Sequence, residues 1–481
     1  MNPRASKPLS RLALPLVISF TLRNLFALVD LGFATSLPNS ASAVGAISFW
    51  IPFQMVYIAL WVGLSSGVTT TLSQALGLCR TDLVESIERQ VRRILVVLIA
   101  VLVGLGACLP LVVPMFGLEH DLTRDFTIYG SILAIGFPIT GFWSILPDST
   151  VKAHHDTRST MIAGLLSTAT NATLNATFVF VFGWGLAGIA IGTVLSRIPS
   201  LVYAIVRARR LDAAWRASLA EASPEAAMPA ASDEVRLSMQ QRIARQLSRP
   251  TRRILILGVP STIAFVLTAI ESSFVNGLLA VLPDSTEKIA SWGVFNQILQ
   301  LSLMPIVGSA VAVLPWLARR VAASEFTVVR RELMTTALLF GAISFGLTIL
   351  PAFVFPDAIA RRILTKNGEV DARSLALAVD ALAILPVVAM ASLPFILLRT
   401  SFEALNKPRL AILSSVLRFV VLSLPLIALG RHLGLTSDLG PIRGMAMGLG
   451  TAALLASTFV SVLVHTIVGD LEKQTMVTGG G

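Results

Sequence analysis

The sequence is poor in charged residues and in cysteine. Only 14% of its 481 residues are Asp, Glu, Lys or Arg, which is too few to cover the surface of a water-soluble protein of this size. Cys79 and Cys108 are too few for a disulfide framework or a cysteine-ligated metal site. No acid-rich loop, metal-ligand set or nucleophile–base pair is evident. We therefore expect neither a soluble domain nor an enzyme, and neither a cofactor nor a metal centre.

Long apolar runs replace the missing charge. Hydrophobic residues make up 54% of the chain, and the mean hydropathy is +0.78. A helix needs about 20 apolar residues to cross the hydrocarbon core of a bilayer. The runs predict an all-α polytopic membrane protein whose twelve transmembrane helices lie near residues 9–36, 43–76, 92–116, 126–150, 159–182, 186–207, 252–282, 288–318, 328–352, 374–400, 408–429 and 441–468.

The basic residues indicate how the chain is oriented. The formal net charge is +11, but Lys and Arg form short clusters between apolar runs. A nucleic-acid-binding protein would gather them on one face, so no nucleic-acid partner is expected. Most clusters lie in loops on the side of the N-terminus, which predicts that both termini are cytoplasmic. The polar segment 208–250 is expected to be a cytoplasmic linker that is partly helical and lies on anionic lipid.

A segment near the start of the chain recurs in its second half. Residues 12–63 align without a gap to residues 245 positions later. Identical types in the two copies include Leu12 and Leu257, Pro15 and Pro260, Ile18 and Ile263, Leu37 and Leu282, Pro38 and Pro283, and Gly63 and Gly308. We predict an N-lobe at 1–207, the linker at 208–250, a C-lobe at 251–470 and a tail at 471–481. Parallel repeats of this kind are typical of transporters, because a site between them can face either side.

Two glycine patterns support the duplication. Gly188 and Gly192 in the sixth predicted helix resemble Gly444 and Gly448 in the twelfth. In each pair the glycines lie one helical turn apart. Such small residues let helix backbones approach closely in lipid, so these segments are expected to be tightly packed.

Three acidic residues lie within predicted spans, where a charge is costly and usually functional. They are Asp30, Glu271 and Asp380, at depths of roughly 9, 15 and 9 Å from the outer helix ends. Asn171 and Asn175 reach a similar depth and share a helix face. A carboxyl group there can take up a proton, and carboxylate and amide oxygens can bind sodium. The sequence leaves H+ and Na+ open as the coupling ion.

Other polar groups within the spans complete the candidate site. Arg23 either forms a salt bridge with Asp30 or pairs with Glu271 if the first and seventh helices meet. The amide side chains that could line a central cavity are Gln54, Asn276, Asn296 and Gln297.

The sequence resembles the MATE (multidrug and toxic compound extrusion) family of the MOP flippase superfamily, in its bacterial NorM/DinF-like branches. The resemblance covers nearly the whole chain and rests on the order of several short elements. These are Leu14-Pro15, Val29-Asp30-Leu31-Gly32, Ala43-Val44-Gly45, Asp156-Thr157-Arg158, Asn171-x-x-Leu174-Asn175, Gly183 to Gly188 through Arg197, Gly258-Val259-Pro260, the helix of Glu271, and Asn406-Lys407-Pro408-Arg409.

The resemblance implies two six-helix bundles in a V-shaped molecule with a central cleft. It implies alternating-access export of organic, often cationic or polyaromatic compounds in exchange for H+ or Na+. It also implies a monomer in the bacterial inner membrane, in contact with lipid and a small-molecule substrate.

The resemblance assigns roles to the acidic residues. Asp30 matches the N-lobe cation or proton site, and Asn171 matches an accompanying asparagine. Asn175 stands where the family usually has Asp, which puts an N-lobe sodium site in doubt. Glu271 and Asp380 resemble a C-lobe cation site that could bind Na+. With two carboxylates there against one in the N-lobe, the sequence slightly favours coupling in the C-lobe.

One alternative within the superfamily remains open. A flippase for a lipid-linked or anionic substrate would need cationic residues in its cavity. Arg23, Arg197 and Arg418 are candidates for that role.

Overall fold

The computed structural model describes residues 8–116, 120–221, 234–323, 328–364 and 372–478. The first half forms six membrane helices. Their bounds are α1 Leu9–Thr35, α2 Ser40–Gly77, α3 Thr81–Ala107 with Leu109–Val112, α4 His120–Gly141 with Ile145–Ala153, α5 Thr157–Ala176 with a π-helical end at Thr177–Val181, and α6 Gly185–Leu195 with Arg197–Ala220.

The second half repeats this arrangement. Its bounds are α7 Pro250–Ala280, α8 Ser285–Ala323, α9 Val329–Ile349 with Leu350–Val354, α10 Leu385–Ala404, α11 Pro408–Val416 with Leu417–Ser423 and Leu424–Thr436, and α12 Pro441–Thr478. Ten helices of the described chain are long and apolar enough to cross a membrane, and α1 and α5 complete the predicted twelve.

The predicted tenth helix is split in two. A short amphipathic helix, Ala372–Leu382, ends before α10 begins at Leu385. Pro386 explains the break, because a proline supplies no N–H and restricts the preceding residue, so helices end before it. Asp380 therefore lies on the short helix and not on the apolar helix Leu385–Ala404, so the single helix predicted for residues 374–400 is wrong.

The segment between the lobes is more helical than its composition suggests. α6 continues to Ala220, past the predicted boundary at 207, because Ala208 and Trp215 give it a buried face. A second helix, Glu234–Leu247, is called the linker helix here. It buries Ile243 and Leu247 and packs against α2 and α3 of the first half and α7, α8 and α12 of the second. The last helix, α12, extends to Thr478, beyond the predicted start of the tail.

The two halves make reciprocal contacts. α2 packs against α7, and α1 packs against α8. A Cβ atom on Gly63 would collide with Thr262, and one on Gly308 would collide with Val17. Val17 and Thr262 are themselves 245 residues apart, so both contacts are copies of one contact. A two-fold axis between the repeats produces this reciprocity.

The lobes are joined on the side where α1 begins, which we call the N-terminal side. Interlobe hydrogen bonds there include Ser66 to Glu403 (2.5 Å), Gln74 to Asn406 (2.7 Å), the Leu9 amide to Glu332 (2.9 Å), and Thr251 to Gln90 (3.3 Å). Residues 63–76 of α2 are all buried, whereas Ile51, Met55 and Val56 are exposed. α7 changes in the same way, from buried Leu257 and Ser261 to exposed Phe265 and Ile270. We call the interface of α1 and α2 with α7 and α8 the seam. It is closed on the N-terminal side and open on the other.

Candidate functional site

A buried carboxylate stands at the centre of the N-lobe. Asp30 on α1 is 7% exposed and accepts hydrogen bonds from three neutral side chains. Asn175 donates at 2.7 Å and Asn171 at 3.3 Å, both to Oδ1, and the Thr193 hydroxyl donates to Oδ2 at 3.0 Å. The described residues offer Asp30 no ion pair. The hydrogen bonds that the described residues give this carboxylate therefore all come from neutral groups, and Arg197 acts on it as a charge without a direct contact.

Helix geometry explains why these groups converge. Asn171 and Asn175 are four residues apart on α5, so both amides project from one face. Gly192 on α6 is the close neighbour of this face, since a Cβ there would collide with Asn175 Oδ1. A Cβ on Gly448 would likewise collide with the Leu426 carbonyl. Both observations confirm the close packing predicted from the two glycine patterns.

Thr193 is the member of this site that sequence reasoning missed. Its hydroxyl lies within hydrogen-bonding distance of Asp30 and of Asn171, at 3.0 and 3.2 Å. The signal was its place directly after Gly192, because the residue next to a close-contact glycine lies near the neighbouring helix. Thr193 also bonds the Ile189 carbonyl, as a helical threonine commonly does, and such residues are not distinctive in a sequence.

In the C-lobe, Glu271 on α7 is held by a full positive charge. Its Oε1 lies 3.0 Å from Arg418 Nη1, and both side chains are largely buried. Arg418 lies in the π-helical part of α11 and also donates to Ser423. Arg418 is thus the partner that the described residues give Glu271, a pairing that the sequence did not predict. The side chain of Arg23 lies outside the described residues.

The third predicted carboxylate is separate from the second. Asp380 is 47% exposed in its side chain and pairs with Arg443 at 3.0 Å. No described contact joins it to Glu271, and each acid has its own arginine. The geometry therefore gives no support to the sodium site predicted at Glu271 and Asp380.

The side chains of the predicted cavity amides differ in their exposure. Asn276 and Gln297 are exposed, whereas Gln54 and Asn296 are half-buried. They lie on α2, α7 and α8, the helices that meet at the seam. None makes a hydrogen bond with another described residue, so these amides are available to a ligand on the open side.

Sequence reasoning also missed a buried cluster that spans the seam. Glu403 on α10 is fully buried and accepts hydrogen bonds from Ser66 of α2, Ser261 of α7 (2.8 Å) and Arg399 (3.0 Å). The predicted tenth helix ended at residue 400, which placed Glu403 in a solvated loop. The helix instead continues to Ala404 and carries this acid into the interlobe contact.

Comparison with known proteins gives this geometry a context. The MatE family model matches residues 15–177 and 260–429, one stretch in each lobe. A probable multidrug resistance protein, YoeA of Bacillus subtilis, is 22% identical over 76% of this chain and 75% of its own length. A FAD transporter of Shewanella oneidensis is 22% identical over 98% of both chains.

Solved structures share the fold. An outward-facing multidrug resistance MATE family transporter of the MOP superfamily superimposes with a TM-score of 0.80 at 18% identity, over 98% of both chains. A MOP superfamily transporter from Pyrococcus furiosus, described as having a binding pocket of reverse polarity, gives 0.79 at 16% identity over 96% of both chains. The family match covers both lobes, so this chain is an integral membrane protein that belongs to the MatE family of multidrug-type transporters.

Proposed function

We propose that this protein exports organic cations or polyaromatic compounds in exchange for protons taken up at Asp30. The observation that carries the proposal is the set of neutral donors around that carboxylate. An acid held by amides and a hydroxyl can change its charge without leaving another charge unpaired. Glu271 differs, because its protonation would leave the buried charge of Arg418 without a partner.

The orientation of the two amides favours H+ over Na+. Asn171 and Asn175 present their N–H groups to Asp30, whereas a sodium ion requires oxygen ligands. A proton placed on Asp30 weakens its acceptor capacity for three donors at once. α1 is then freer to move against α5 and α6, which is how protonation would be linked to a change of conformation.

The closed N-terminal side supports an assignment of conformation. We infer from the basic loops that this side is cytoplasmic, that both termini lie there, and that a monomer sits in the bacterial inner membrane. The open side then faces outward, where protons would enter. Exchange requires that proton and substrate stabilise different conformations, and their coupling must be reciprocal.

The charges near the open side favour a cationic or neutral aromatic substrate. Arg418 is neutralised by Glu271, and the guanidinium of Arg197 lies over the ring of Phe137 at 4.4 Å. Two of the three arginines that would bind an anion are thus engaged inside a lobe. The amides and the exposed apolar side chains of α2 and α7 remain for a flat apolar compound.

A second candidate is export of a flavin dinucleotide or a similar anion. It is favoured by the relative named a FAD transporter, which matches this chain over nearly its full length. The two candidates differ in the sign of the substrate charge, so direct competition between ethidium and FAD separates them.

The test is ethidium efflux from cells that produce the wild type, Asp30→Asn or Asp380→Asn. Asp380→Asn is the matched control, because it makes the same change at an exposed ion pair. We expect Asp30→Asn and a protonophore to abolish efflux, and Asp380→Asn and a sodium ionophore to leave it intact. Efflux that survives Asp30→Asn would refute the mechanism, and transport of FAD with no transport of ethidium would favour the second candidate.

A further inference from the structure

A strongly basic cavity lies on the N-terminal side of the molecule, away from Asp30. Its volume is about 790 Å³, and it lies between the linker helix and the first turns of α7. Five arginines line it, namely Arg242, Arg245, Arg249, Arg252 and Arg253. The volume is within the range of about 300–1,000 Å³ that is typical of small-ligand sites.

The arrangement of the linker helix directs these charges into the cavity. Ile243 and Leu247 are four residues apart and anchor one face of the helix in the main hydrophobic core. Arg242 and Arg245, three residues apart, line the cavity from this helix. α7 begins at Pro250 without an acidic residue in its first turn, so the positive end of its macrodipole adds to the field.

The five arginines have no negative partner in the part of the chain that the structure describes. None of the five forms an ion pair with any described residue, although other basic side chains on this side are paired, as Arg207 is with Asp156. Arg253 is only 8% exposed, and its Nε has no hydrogen-bond acceptor. Like charges gathered in one cavity repel each other, and a buried unpaired guanidinium is costly. A bound anion would relieve both penalties.

The geometry points to a binding site for a phosphate-bearing anion between the linker helix and α7. Guanidinium groups bind phosphate oxygens in a bidentate manner, and several together suit a group with two or more negative charges. Such a group is present in the headgroups of anionic phospholipids and in soluble phosphates. The site's position on the side with most of the basic loops fits the anionic surface of the cytoplasmic leaflet.

Binding of an anion at this site would affect the contacts at the interlobe seam. Arg253 also donates to the side chain of Asn406, which accepts a second hydrogen bond from Gln74 of the N-lobe at 2.7 Å. An anion that orients Arg253 and holds the linker helix across both lobes therefore stabilises the closed N-terminal side. This effect does not depend on which substrate is exported.

The experiment compares anion-induced thermal stabilisation of two variants of equal charge. Arg245→Gln/Arg249→Gln removes two charges from the cavity, and Arg209→Gln/Arg210→Gln removes two exposed charges from the surface of α6. One arm uses nanodiscs of neutral phosphatidylcholine with and without cardiolipin. The other uses delipidated protein in detergent with inorganic pyrophosphate, at constant ionic strength.

We expect the wild type and the α6 variant to be stabilised by several degrees, and the cavity variant to lose at least two thirds of that shift. Stabilisation in the cardiolipin arm alone identifies the anion as a lipid headgroup, and stabilisation by pyrophosphate identifies a soluble phosphate. No stabilisation in either arm, or equal loss in both variants, would overturn the proposal.

Discussion

The carboxylates of the two lobes differ in what holds them. Asp30 and Glu271 lie on the first helix of each half, yet Asp30 has three neutral donors and Glu271 has Arg418. The repeat relates Asp30 to Val275, which is buried among apolar side chains, so the two acids are not copies of one another. The duplicated scaffold thus carries one carboxylate that accepts hydrogen bonds from neutral donors and one that is paired with an arginine.

The largest difference should be seen in transport. Asp30→Asn is expected to lower the initial rate of ethidium efflux at least about 100-fold, because the buried carboxylate proposed to take up the proton is lost. Glu271→Gln should keep the rate within about threefold of wild type. The rates are compared in proteoliposomes with an imposed proton gradient. Loss of transport in both variants would mean that the ion pair also takes part in coupling.

For stability, unlike transport, Glu271→Gln should have a larger effect than Asp30→Asn. Glu271→Gln leaves Arg418 largely buried without its charge partner, and breaking such a pair costs about 3 kcal/mol or more. Asp30→Asn keeps a group that can still accept from Thr193, and should cost about 1 kcal/mol. The free energy of unfolding in detergent measures both.

A double variant checks the reason for this ranking. Glu271→Gln/Arg418→Met removes both charges and should recover most of the stability lost in Glu271→Gln alone. If the double variant is no more stable than the single one, the two residues do not act as a pair.

Asn175→Asp would add a negative charge to the N-lobe site and increase the difference between the N-lobe and C-lobe sites. The change places a second carboxylate beside Asp30, in the position where the resemblance implies an aspartate. Two neighbouring carboxylates attract a cation more strongly than one, so we expect sodium to stimulate efflux by this variant and to leave efflux by the wild type unchanged. Efflux is measured against sodium concentration at fixed pH. Asn171→Asp is the control for added charge one turn away, and an equal effect there would show that position is unimportant.

The sequence predicted the fold well and the site only in part. Apolar run length and basic clusters located the twelve helices, because these features are set by the bilayer and not by contacts between distant residues. The spacing of Asn171 and Asn175 predicted a shared face. The pairing of Glu271 with Arg418 could not be predicted in the same way, since it depends on how α7 and α11 are placed in three dimensions.

The misplaced residues have a common cause. Asp380 was placed on the tenth helix and Glu403 beyond its end because the predicted boundaries of that helix were shifted. Apolar composition continues through the break before Leu385, and it fades near Arg399, where the helix goes on. Hydropathy locates a span but does not fix its ends, and a buried acid at a helix end is then read as a loop residue.

Asp156, in the turn between α4 and α5, is a third kind of carboxylate and should show the smallest effect. It accepts hydrogen bonds from the neutral Ser159 at 2.8 Å and the charged Arg207 at 2.6 Å. Burial raises the pKa of this carboxyl, but the two hydrogen bonds and the charge of Arg207 outweigh burial and lower it below the ordinary 3.8. Because the folded-state pKa is lowered, the stabilisation is complete above about pH 4 and is lost as the pH falls through the folded-state value.

We therefore expect Asp156→Asn to lower the free energy of unfolding by about 1 kcal/mol at pH 7, a modest value because Arg207 is 40% exposed. Thermal unfolding measured from pH 7 to pH 3 should show the wild type and the variant converging at the acidic end. Glu221→Gln, at an exposed carboxyl group, is the control and should leave the difference from wild type near zero at every pH. A constant gap between wild type and Asp156→Asn down to pH 3 would instead assign the loss to altered packing, since a lost packing contact does not depend on the charge of the carboxyl group.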